Sequence, residues 1–124
     1  MSWPPTIGEV LPRAQEAYGV LSKLQAYSLS PGHHVGAHKA RVFRQVLAIT
    51  PEDAGYLAET LLAGICVAPV SDVRDIAPHG VLCGVLVPVR GLRAHAARVV
   101  VVTTSWQLRF KQDAPRLVTA YIKD

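Results

Sequence analysis

The basic stretch His33, His34, His38, Lys39 and Arg41 is punctuated by Gly32 and Gly36 and followed by Val42, Phe43, Val46, Leu47 and Ile49. Imidazole carries protons near neutral pH, and ammonium and guanidinium groups bind phosphate. The apolar spacing predicts a helix from Ala37 to about Ile49, with His38, Lys39 and Arg41 in its first turn. Cations are disfavoured at a helix N-terminus, where free N–H groups suit an anion. A phosphate at this site relieves that conflict; a solvated basic turn is the plainer reading. Lys39 shares the stripe of Val42 and Phe43, so its stem should follow the core and its ammonium reach the rim.

A second group of chemically useful residues lies on predicted strands. Alternation places Val100, Val102, Thr104, Trp106 and Leu108 on one face of a strand over residues 98–109. In a strand over 116–122, Leu117, Thr119 and Tyr121 share one face, and Arg116, Val118, Ala120 and Ile122 the other. Register decides whether Thr104 and Trp106 join Thr119 and Tyr121 around a ligand. All four are also good strand formers that often serve packing alone.

Other chemistries find little support. No Walker-type loop, dinucleotide fingerprint, nucleophile elbow or His-Glu-x-x-His motif is present. Glu52, Asp53, Glu59, Asp72 and Asp75 are scattered, without the pairing of catalytic carboxylates or a two-metal site. His33, His34 and His38 have no nearby carboxylate or cysteine to complete a metal site, and His79 and His95 read as loop residues. What remains is a kit that needs no metal or cofactor: His and Lys at a helix start, hydroxyls and an aromatic on a sheet. It suits RNA cleavage, in which the 2′-hydroxyl attacks its own phosphodiester. The protein then supplies a base, an acid and cations for the developing charge, and an aromatic can stack a base.

The elements that must position these groups follow from local signals. Pro4, Pro5 and Pro12 make the first dozen residues extended; Ala14 to Val20 reads as a short strand or an irregular arm. Ser22 is expected to cap a short helix through Leu29 that buries Leu21, Leu24 and Leu29. Thr50-Pro51-Glu52-Asp53 is a strong start for a third helix ending near Leu62 or Gly64. Residues 66–79 form a connector, part of which can pair at a sheet edge. Strands follow at 81–89, 98–109 and 116–122, and Pro88 suggests an edge or a bulge. Helices first and strands after imply an α+β domain, N-terminal helices packed on a curved antiparallel sheet of three to four strands.

The bulk properties agree. The chain's 124 residues suit one domain with a single core, and 50% hydrophobic against 18% charged residues describes a globular chain. A net charge of +4 favours polyanionic partners. Cys66 and Cys83 form no zinc motif and are expected to be buried thiols in a reducing cytoplasm. The N-terminus carries no signal-peptide pattern, and the longest apolar run, Leu61 to Val70, is too short to cross a bilayer.

Several segments together resemble a known family: Leu11-Pro-Arg-Ala14, Ala17-Tyr18, Lys23-Leu24, Tyr27-Ser-Leu29, Gly36-Ala-His-Lys-Ala-Arg-Val-Phe43, Trp106 and Pro115-Arg-Leu-Val-Thr-Ala-Tyr121. The chain resembles a little-characterised bacterial domain found at the C-terminal ends of polymorphic toxins and phage-head-like proteins. That domain looks like part of the barnase, EndoU, colicin and RelE-like ribonuclease superfamily. Residues 64–97 carry little of the likeness. The resemblance implies a metal-independent endoribonuclease acting on tRNA or mRNA. His38, Lys39, Thr104 and Thr119 would be catalytic, and Arg41, Trp106, Arg116 and Tyr121 would bind substrate. It also implies a neutralising antitoxin or immunity protein, with a second copy of the chain as a further candidate partner. The alternative is a non-catalytic nucleic-acid- or protein-binding module on the same fold.

Overall fold

A computed structural model describes residues 3–34 and 36–123. Met1 and Ser2 of the expected leaderless start, Val35 of the basic loop, and Asp124 lie outside the described residues. The chain is α+β, with its helices ahead of an open, four-stranded antiparallel meander. Helix α1 (Val20–Lys23) runs directly into a π-helical turn, Leu24–Ser28. Helix α2 spans Ala37–Leu47, and α3 spans Ala54–Ile65 behind a 3₁₀ turn at Pro51–Asp53. Strands β1 (Val70–Asp75), β2 (Val81–Arg90), β3 (Val99–Leu108) and β4 (Arg116–Ile122) pair in chain order.

The expected connector is thus partly strand β1, held at the edge beyond Pro69. It pairs with β2 only as far as Val85, which leaves β2 one open side at Pro88, where a missing N–H is tolerated. Ala14 to Val20 contributes a 3₁₀ turn and a single parallel bridge from Tyr18 to Arg116. Gly19 (φ 75°), rather than Ser22, precedes the first helix. The helix therefore begins earlier than expected and turns Leu21 outward (45% exposed), while Leu24 and Leu29 are buried.

The helices cover one face of the sheet. Phe43 and Leu47 of α2, and Leu57, Leu61 and Ile65 of α3, share a core with Val85, Val87, Val102, Leu108, Leu117 and Ile122. Thr104 and Trp106 belong to that core: both are fully buried. The Trp106 indole N–H donates to Thr104 Oγ1 at 2.7 Å, and that hydroxyl donates to the Val85 carbonyl at 2.7 Å. This short relay satisfies the polar atoms that a buried Thr–Trp pair brings into the interior. Cys83 is buried too, and burial, with Asp72 nearby, pushes its thiol up to about 11. Cys66 departs from expectation: it is exposed, at the C-cap of α3.

The start of the third helix forms as its sequence predicts. The Thr50 N–H and hydroxyl both donate to Asp53 Oδ2, at 2.9 and 3.0 Å. Arg93 clamps the same carboxylate from the β2–β3 loop. The Arg93 guanidinium and the Thr50 donors hold the Asp53 carboxyl at about 2, below the usual value of 3.8. A depressed acid adds stability above its unfolded pKa and loses it as pH falls through the folded one. Asp53→Ala should therefore lower unfolding free energy by about 1–2 kcal/mol at neutral pH. Urea titrations should show the gap between wild type and variant shrinking from pH 4 toward about 2.

Candidate functional site

The sheet register separates the predicted site residues into two groups. Strand β4 carries a bulge: Ser105 pairs with Thr119 while Trp106 pairs with Leu117, which leaves Val118 as the extra residue. The bulge breaks the simple alternation. Leu117, Ala120 and Ile122 point into the core, whereas Thr119 and Tyr121 lie half-buried with Ser105 and Thr103 on the opposite face. Arg116 pairs with Gln107 and joins Thr119 and Tyr121 on that face, contrary to strict alternation. Thr104 and Trp106 are on the core side, so they can neither orient a scissile phosphate nor stack a base.

Lys39 links the helices to this open face. Its stem leaves α2 one turn before Val42 and Phe43, both buried. Its ammonium donates to Thr119 Oγ1 at 2.9 Å. Two aromatic rings flank it, with centroids 5.5 Å away at Tyr121 and 5.7 Å at Tyr27. Lys23 reaches the same Tyr27 ring at 5.2 Å, so two cations share one aromatic. Burial lowers the Lys39 pKa below the ordinary 10.5, and the Lys23 ammonium lowers it further. No carboxylate pairs with Lys39 among the described residues. A half-buried ammonium beside a second cation is an arrangement that an anion would relieve.

Tyr27 is held by the π-helical turn and by Gly36. A Cβ on Gly36 would lie 2.1 Å from the Tyr27 carbonyl oxygen, so only glycine lets the start of α2 approach this closely. The Gly36 N–H donates to His33 Nδ1 at 3.0 Å, and the His33 ring lies 4.1 Å from the Tyr27 ring. One free N–H at the start of α2 is thus occupied by an imidazole from the same loop. Beyond Tyr27 the site opens into a groove of about 430 Å³ lined by Tyr18, Lys23, Tyr27 and Arg116. The Arg116 guanidinium is steadied there by Gln107 Oε1, at 2.7 and 3.2 Å.

The structure therefore unites Lys39, Thr119, Tyr121 and Arg116 of the predicted set. His38 is exposed on α2, next to Lys39 in sequence. Arg41 sits about 200° round the helix from Lys39. It lines a different recess, with Arg44, Thr50 and Pro51, and does not share an anion with Lys39. Lys23, Tyr27 and His33 complete the cluster. Lys23 and Tyr27 carry a sequence signal in their i, i+4 spacing, which stacks them on one side of a helical turn.

Among the described residues, no group of three His, Cys, Asp or Glu side chains could hold a metal, and no helix is long and apolar enough to cross a membrane. Neither the comparison with curated proteins nor that with solved structures found a match. Residues 10–124 match a family model described as a domain of unknown function, DUF6883, and the chain belongs to that family.

Proposed function

We propose that this protein is an endoribonuclease of toxin type that holds single-stranded RNA along the Lys23–Tyr27–Lys39 cluster and cleaves it at Lys39. The observation that carries this reading is Lys39 itself: half-buried, bonded to the Thr119 hydroxyl, set between two tyrosine rings and unmatched by any carboxylate among the described residues. A cation so placed suits the charge that builds on a phosphorane oxygen. The RNA 2′-oxygen attacks the adjacent phosphorus as its proton passes to a base. The bond to the 5′-oxygen breaks, and that oxygen takes a proton from an acid. The products are a 2′,3′-cyclic phosphate and a 5′-hydroxyl, so no metal is required. Imidazole is the proton carrier, from His33 beside Tyr27 or from His38 on α2; Thr119 orients the phosphate and Tyr121 or Tyr27 stacks a base. In a cell, such an activity calls for a neutralising partner, and an acidic protein would fit the cationic face.

The test is incubation of the purified chain with labelled tRNA and with single-stranded RNA in excess EDTA. The expected fragments end in 2′,3′-cyclic phosphate. Intact RNA after prolonged incubation would remove the catalytic assignment. A second reading, RNA binding without cleavage, is favoured by the burial of Thr104 and Trp106, which takes two groups out of the catalytic kit. Binding whose strength falls steeply with salt, on RNA that stays whole, would establish it.

A further inference from the structure

A second concavity opens at the same end of the sheet, where β1 turns into β2 and β3 into β4. Trp3, Asp75, Pro78, Arg109, Phe110 and Lys111 line a cleft of about 650 Å³. Its aromatics are presented rather than buried: Trp3 is 37% and Phe110 55% exposed. The Arg109 guanidinium lies 5.4 Å from the Phe110 ring centroid, and Asp113 fixes it in place through bonds of 2.9 and 3.2 Å.

The cleft lies beside the candidate groove without sharing a lining residue with it. Arg109 is within electrostatic reach of Tyr18, which shares a groove with Lys23, Tyr27 and Arg116; Tyr27 then meets Lys39. Cations and aromatics thus alternate from Phe110 to Tyr121. Exposed aromatic faces beside cations are how single-stranded nucleic acid is held without reading a duplex. The cleft volume lies within the usual range for small-ligand sites. Arg109 and Lys111 match a phosphate, and the Asp75 carboxylate can accept from an amino group on a base edge.

We infer that this cleft is a remote base-binding subsite, taking a nucleobase of the RNA strand between Trp3 and Phe110 while a neighbouring phosphate meets Arg109 or Lys111. The inference rests on the RNA reading above. It makes the recognised substrate a strand that extends several nucleotides beyond the scissile bond.

A 2′-O-methylated single-stranded RNA 12-mer, which cannot attack its own backbone, tests this. The chain has two tryptophans, Trp3 and the fully buried Trp106, so acrylamide quenching of fluorescence reports mainly on Trp3. The 12-mer should protect that fluorescence from acrylamide. Trp3→Ala and Phe110→Ala should each weaken 12-mer binding about tenfold by fluorescence anisotropy. The affinity of a trinucleotide at Lys39 should be unaffected, and so should the melting temperature. If the 12-mer binds but Trp3 stays open to acrylamide and both variants keep full affinity, the cleft is not a base subsite and the RNA reading stands. If the 12-mer does not bind at all, both fall.

Discussion

Lys39→Met is expected to lower the proposed RNA cleavage by about a hundredfold or more while leaving the folded chain at least as stable as wild type. The first effect follows from removing the cation proposed to meet the reacting phosphate, a loss that typically costs two to three orders of magnitude. The second follows from the direction of the Lys39 pKa. Its folded value lies below the ordinary 10.5, because burial and Lys23 both disfavour the ammonium. At neutral pH the charged side chain is therefore less favourable in the folded state than in the unfolded one. That penalty is present below the folded pKa and disappears above the unfolded one. Methionine keeps the stem that packs near Val42 and Phe43 and removes the penalty, offsetting the lost bond to Thr119. Single-turnover cleavage and thermal melting, measured on the same preparation, check both halves. A variant that keeps activity within a few-fold would remove Lys39 from the centre of the site. One that melts well below wild type would mean its role is structural.

Gly36→Ala has the largest expected effect outside the cluster. The added Cβ would meet the Tyr27 carbonyl oxygen at 2.1 Å and its carbon at 2.9 Å, and both are backbone atoms that cannot turn aside. Either α2 withdraws or the π-helical turn does, and in both cases Tyr27 leaves Lys39. Forced overpacking of this kind costs about 1–3 kcal/mol. Melting should drop by several degrees, and RNA binding should fall with it. Gly32→Ala is the control from the same loop, since a Cβ there meets nothing within 4 Å. Equal behaviour of the two variants would show that the close approach of α2 to Tyr27 does not matter.

What could be read in the sequence was what is local. The Thr50-Pro51 start, the apolar stripe of α2 and the β-branched runs of β2 to β4 each specify their own element within a few residues. The reach of Lys39 followed from its place on that stripe. The bulge at Val118 did not: it is fixed by how β4 seats against β3, and one extra residue reverses every later side chain. The same strand-level ambiguity misled the reading of Thr104 and Trp106. Their face was grouped correctly, yet the opposite parity of β3, Thr103, Ser105 and Gln107, is the more polar and marks the open side. The i, i+4 pair Lys23 and Tyr27 was present in the sequence, but its meeting with Lys39 depends on Gly36, a contact between two turns.

The bond from Lys39 to Thr119 spans 80 residues of chain. The helices with β1 to β3 alone lack the strand that completes the cluster. For the ribonuclease proposed above this matters, because the nascent chain grows beside messenger and transfer RNA. Its lysine meets the hydroxyl only after β4 has emerged and docked on β3. On the ribonuclease reading proposed above, the cluster is thus incomplete in any chain whose last strand has not yet docked.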